Sequence, residues 1–245
     1  MSYAHVHGLD VYYELHGTGE PLVLLHGGLL TIELTFAAML PQLAKERQVV
    51  AIELQGHGRT ADIDREFALE HLADDVAGVL DELGIESADF FGFSLGGLVA
   101  LQFAMRHPAR TGRVTAAAVH FRADGYHPDI FAMDSTSDRL PTEDDFREMH
   151  DAYVAVAPDP GRFEAFAAKA SALPAQLDWS PDDLAAVRAP VLLVIGDNDF
   201  VRIEHAAQMR DLLPDARLAV LPGCTHMDLV RRADLVLPLV EDFLN

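Results

Sequence analysis

Phe91-Gly92-Phe93-Ser94-Leu95-Gly96-Gly97 is the stretch that decides the fold. The run Ala88 to Phe91 leads into it, and an apolar run from Leu98 to Met105 leads out. A Gly-x-Ser-x-Gly set between a buried strand and a buried helix is a nucleophile elbow. The chain turns so sharply at the serine that its neighbours must be nearly free of side chain, and the hydroxyl stands exposed at the strand's end. With glycine at about 7% of residues the bare match is weak. Its weight comes from context: strand before, helix after, and further parts of a hydrolytic site downstream in order. A glycine-rich helix–sheet crossing with an incidental serine would lack those parts. The stretch therefore predicts acyl chemistry through Ser94.

Working outward, solid apolar runs cover Pro21 to Leu25, Val49 to Leu54, Asp89 to Phe93, Val114 to Val119, Val191 to Ile195 and Leu218 to Leu221. Runs without alternation suit strands buried on both faces, hence a parallel sheet covered by helices. An opening hairpin is expected where His5-Val6-His7 and Val11-Tyr12-Tyr13 flank Gly8-Leu9-Asp10. Leu69, Leu72, Val76, Val79, Leu80 and Leu83 recur at helical spacing, with Glu70, Asp74, Asp75 and Asp81 expected on the wet side. Strand alternating with helix through right-handed crossovers predicts an α/β, doubly wound sheet in one domain spanning 1–245. From His120 to Ala189 the rhythm breaks. This stretch has no clear strand and two helical segments, about Thr142 to Val156 and Gly161 to Leu173. At that length an insertion above the elbow predicts a helical lid rather than a disordered crossover.

Composition narrows the function. Of 245 residues, 18 are basic and 39 acidic, a formal charge of −21. That field repels phosphate backbones and anionic headgroups, which argues against nucleic acid and membrane surface as partners. The single cysteine, Cys224, allows no internal disulfide and fits a reducing compartment. The opening residues carry no basic stretch and no apolar core of a signal, and no segment reaches the roughly 18 apolar residues of a span. The expectation is a soluble, cytoplasmic protein.

A serine hydroxyl needs a base to take its proton. Among 12 histidines, His226 is best placed, in a loop directly after the last strand. His26 and His57, in His-Gly turns, suit structural hydrogen bonding, and His120 opens the lid where it can line the pocket. The base in turn needs a carboxylate. Gly196-Asp197-Asn198-Asp199 ends a buried strand with two candidates. Asp199 projects further, whereas Asp197 suits bonding to the turn's own amides. Charge developing on the substrate oxygen needs preorganised N–H donors. Leu95 supplies one at the helix start, and a second is expected from Gly28, with Leu29 the alternative. Leu29, His120 and Trp179 are expected to line the substrate pocket. No paired cysteines, His-x-x-x-His or phosphate-binding Gly-rich loop appear, so no metal or cofactor is expected.

These residues together resemble the α/β-hydrolase superfamily over nearly the whole chain. The markers appear in order: His26-Gly27-Gly28, Gly56-His57-Gly58, Gly92 to Gly96, Gly196 to Asp199 and His226. The serine–aspartate–histidine order matches that fold. The resemblance implies an eight-stranded, mostly parallel sheet with Ser94, Asp199 and His226 on loops at its carboxyl edge. It also implies that about 120–189 form the cap that shapes the pocket. Glu53 and Thr60 depart from the Asp and Ser usual in the family. Relatives that open haloalkanes or epoxides use an aspartate at the elbow, which removes those reactions. There remain small esters and lactones, and by the same machinery thioesters and the carbon–carbon bonds of diketones. A small-molecule sensor of this fold with little turnover is a further alternative, distinguished by the number of catalytic cycles.

Overall fold

The computed structural model describes residues 2–131, 137–173 and 177–245. Eight strands form one sheet: β1 (Ser2–Val6), β2 (Leu9–His16), β3 (Glu20–Leu25), β4 (Arg47–Ile52), β5 (Ala88–Phe93), β6 (Thr111–Ala117), β7 (Val191–Gly196) and β8 (Ala216–Leu221). Their order is β1-β2-β4-β3-β5-β6-β7-β8. β1 and β2 pair antiparallel, as do β2 and β4, and every later pairing is parallel.

The apolar runs are explained by burial on both faces. Val23, Leu25, Val50, Ile52, Phe90 and Val114 point into one core, with side chains of the helices Leu69–Glu82, Leu95–Arg106, Pro181–Ala186 and Ile203–Leu212. Their neighbours Leu22, Leu24, Val49, Ala51 and Phe91 point into the other, with the helices Ile32–Phe36 and Ala233–Leu244. Alternate residues of one strand thus serve two cores, the arrangement of a doubly wound sheet.

Asp75 departs from the expected pattern. It is buried, and its carboxylate holds Arg65 at 2.6 Å and the His7 ring at 3.0 Å. The cause is the hairpin, which covers this helix face so closely that a Cβ on Gly78 would lie 2.6 Å from Val6. Periodicity identified the helix but could not foresee the partner that buries its polar side.

Between β6 and β7 the chain leaves the sheet, forms the helices Glu143–Val156 and Phe163–Ala170, and returns. Its two ends meet at a neck: the Trp179 backbone N–H donates to the Phe121 carbonyl at 2.9 Å, and the backbones of Arg122 and Asp178 pair in an isolated antiparallel bridge. The helix Pro181–Ala186 already packs on the sheet layer, burying Leu184 and Val187. A strap from Phe121 to His127 runs beside the loop after β7, with Arg202 N–H on the Gly125 carbonyl at 2.8 Å and His127 N–H on Phe200 at 2.9 Å. No helix among the described residues is long and apolar enough to cross a membrane.

Candidate active site

Ser94 follows β5 with φ 52° and ψ −115°, a left-handed backbone that costs a non-glycine residue on the order of 1–3 kcal/mol. Its flanking glycines are obligatory. A Cβ on Gly92 would lie 2.2 Å from the Gly96 carbonyl oxygen, and one on Gly96 would lie 2.0 Å from that of Leu25. The turn is pinned by Ser94 N–H on the Ala117 carbonyl at 2.7 Å.

Asp199 is fully buried in the loop after β7, and His226 nearly so in the loop after β8. The imidazole Nδ1–H donates to both Asp199 oxygens, at 3.0 and 3.1 Å, which fixes the tautomer and turns Nε2 away from the carboxylate. Asp199 Oδ1 also accepts the Val201 N–H at 3.0 Å. Asp197 points elsewhere. Its Oδ1 accepts Gly223 N–H at 2.7 Å, so it ties the two loops together instead of bonding amides of its own turn. The His226 ring stacks on Phe200 at 3.9 Å between centroids and leans on Phe93 at 4.8 Å.

Ser94 and His226 share the wall of a cavity of about 170 Å³, together with Gly28, Leu29, Leu95 and His120. Leu29 adopts φ 60°. His120 packs its ring on Tyr126 at 4.3 Å. Trp179 does not line this cavity, contrary to expectation. Its indole N–H donates to Gln102 at 3.2 Å, and its place at the neck turns it to a separate groove. The walls that sequence reasoning missed are aromatic and aliphatic: Phe67, Phe146, Met149, Leu173 and Phe200. Phe200 could have been suspected from its place beside Asp199. The others come from distant segments and carry no local signal. Among the described residues no group of three or more His, Cys, Asp or Glu could hold a metal ion.

Buried titratable groups brace the site. His26 accepts Leu54 N–H at 3.0 Å and faces the Gly27 carbonyl at 2.8 Å, and burial pushes its imidazole down to about 4. His205 accepts Phe121 N–H at 3.1 Å at the neck, and burial likewise pushes it to about 4. Burial, then the neighbouring His26, hold His57 well below the usual histidine range. Glu53 is lifted by burial to about 7 although Arg59 donates to it at 3.0 Å.

These shifts set a stability dependence. Below pH ~6.5 the unfolded chain protonates all three histidines, while the folded rings stay neutral. Glu53 acts oppositely, because the folded carboxyl stays protonated up to about 7 while the unfolded one ionises near 4.5. Between pH ~6.5 and ~4.5 the three histidines outweigh Glu53, so these groups bind more protons in the unfolded state and their contribution to stability falls on acidification. Urea midpoints measured across this window should drop with pH. A flat midpoint would contradict the burial of neutral histidines.

A sequence model of the alpha/beta hydrolase family matches residues 22–238. The chain is similar to 2-hydroxymuconate semialdehyde hydrolase of Pseudomonas sp. (strain CF600), at 33% identity covering 93% of this chain and 88% of the relative. It is also similar to a non-heme haloperoxidase of Rhodococcus erythropolis, at 28% identity over 94% of this chain and 93% of that protein. Among solved structures, an N-acyl homoserine lactone degrading enzyme superposes with a TM-score of 0.80 at 25% identity, covering 98% of this chain and 99% of the other.

Proposed function

The chain belongs to the α/β-hydrolase family, and from that premise we propose that it hydrolyses a small, neutral carboxylic ester or lactone through an acyl-Ser94 intermediate. The observation that carries the proposal is the Asp199–His226 pair opening onto the same apolar cavity as the strained Ser94. His226 Nε2 takes the Ser94 proton as Oγ bonds to the substrate carbonyl carbon. The oxyanion is met by the backbone N–H groups of Leu95, at the helix start, and of Gly28, with Leu29 the alternative donor. The imidazolium, held by Asp199, then protonates the departing alkoxide as its bond to carbon breaks. Water, deprotonated by the same nitrogen, releases the acid and restores Ser94. Phe200 and Phe93 hold the ring in plane and keep water from its faces.

Neutrality of the substrate follows from the wall. Among the described residues the cavity is lined by no arginine or lysine. Arg122 pairs with Asp124 at 2.9 Å, Arg162 faces Asp62 at 3.8 Å, and Arg139 donates to the Asp199 carbonyl at 3.1 Å. The segment from Phe121 to Ala189 carries 14 acidic and 6 basic residues, an acidic surplus of 8 along the stretch that includes the helices Glu143–Val156 and Phe163–Ala170. Such a field raises the barrier to anions. The Pseudomonas relative is named for a muconate derivative, an anion, and its identity favours carbon–carbon hydrolysis as the second reading.

Two measurements test this: kcat/KM for a methyl ester against its ω-carboxylate analogue, at low salt and at ~0.15 M, where the Debye length is ~8 Å, and turnover of a dienoate with a carbon–carbon bond to cleave. The neutral ester should react faster, and added salt should narrow the gap. Preference for the carboxylate would overturn neutrality and point to a hydrolase dedicated to acid substrates, whereas turnover confined to a dienoate with a carbon–carbon bond to cleave would replace the ester reading.

A further inference from the structure

Behind the Ser94 cavity lies a second space, a groove of about 280 Å³ between Glu66–Glu70 and the segment Leu177–Trp179. Two side chains, Phe67 and Leu173, border both spaces. Both are buried, at 6% and 8% exposure, so each lies between the two spaces with most of its surface packed against protein atoms. Phe67 is held edge-on to Phe166 at 5.5 Å and lies 6.1 Å from the His57 ring. Neither wall residue offers a polar group to a ligand.

The sheet order says which end of a substrate meets this wall. Ser94 follows β5. Asp199 and His226 follow β7 and β8, on one side of it, whereas Phe67 follows β4, on the other. The leaving alcohol must lie near His226 to receive its proton. The acyl chain then extends the opposite way, towards Phe67. The Ser94 cavity, at about 170 Å³, is close to the roughly 150 Å³ that takes a benzene-sized ligand.

Resting on the ester reading above, we propose that Phe67 and Leu173 form the partition that limits acyl-chain length, and that the groove behind them accepts the tail of a longer chain once either is cut back. The native enzyme then favours acyl groups of up to about six carbons. Each methylene that gains burial is worth about fourfold. Four of them entering the groove raise the decanoyl-to-butanoyl ratio of kcat/KM on the order of 100-fold.

The test measures p-nitrophenyl esters from acetyl to dodecanoyl, and acetate esters of alcohols from butyl to decyl, on the native protein, Phe67→Ala and Leu173→Ala, each variant first checked for a cooperative melt. In parallel, Ser94 labelling rates are measured with alkyl fluorophosphonates of rising chain length, a readout that needs no turnover. The expected result is a decanoyl-to-butanoyl ratio that rises on the order of 100-fold in at least one folded variant, with labelling rates following. An unchanged ratio in both folded variants overturns the partition. So does a shift seen only among acetate esters of long alcohols, which would put the wall at the alcohol end. Should the native protein hydrolyse no ester yet be labelled at Ser94, the ester reading fails, and the labelling series alone decides the partition.

Discussion

Replacing Ser94 with alanine should abolish turnover and leave the fold intact. A serine at such a position commonly supplies ~10⁴ to 10⁶ in kcat. The hydroxyl alone is removed, while the turn is held by features that alanine retains: the N–H bond to Ala117 and the close glycine contacts of Gly92 and Gly96. Alanine must still adopt φ 52°, the same left-handed backbone that serine tolerates here. Steady-state rates and a thermal melt check the two halves of the prediction separately. Full activity in Ser94→Ala would remove the acyl-enzyme from the account, and a collapsed fold would make the loss uninformative.

The second large effect separates two neighbouring carboxylates. Asp199→Asn should lower kcat by ~10⁴, because an amide nitrogen facing Nδ1 selects the wrong imidazole tautomer. Asp197→Asn should cost little in rate, since its remaining oxygen can still accept the Gly223 N–H. The pair shares a turn and a charge change, so each is the other's control. If Asp197→Asn were the crippling change, the hydrogen bonds at 3.0 and 3.1 Å from His226 to Asp199 would not be those that matter in catalysis.

Much of the frame was legible because its signals are local. The parallel strands appear as continuous apolar runs since both faces of each are covered. The elbow appears as glycines since a Cβ there would strike backbone atoms. The preference for Asp199 over Asp197 came from reach alone, and the structure has Asp199 on His226 and Asp197 on Gly223. What was not legible depends on partners brought from far along the chain. Asp75 sits on a helix face that looks wet until the hairpin covers it, and Trp179 looks like a pocket wall until its indole meets Gln102. Phe67 and Leu173 lie over a hundred positions apart, and no spacing rule joins them. His205 stacks on Phe121 and holds its N–H across 84 positions, a brace with no motif of its own.

A covalent acyl-Ser94 intermediate is captured by intact mass after acid quench during turnover of a slow ester, with peptide mapping of the adduct. One acyl group per chain is expected, located on Ser94, released when the quench is delayed and absent in Ser94→Ala. Turnover with no adduct at any quench time, or an adduct on a residue other than Ser94, would contradict it.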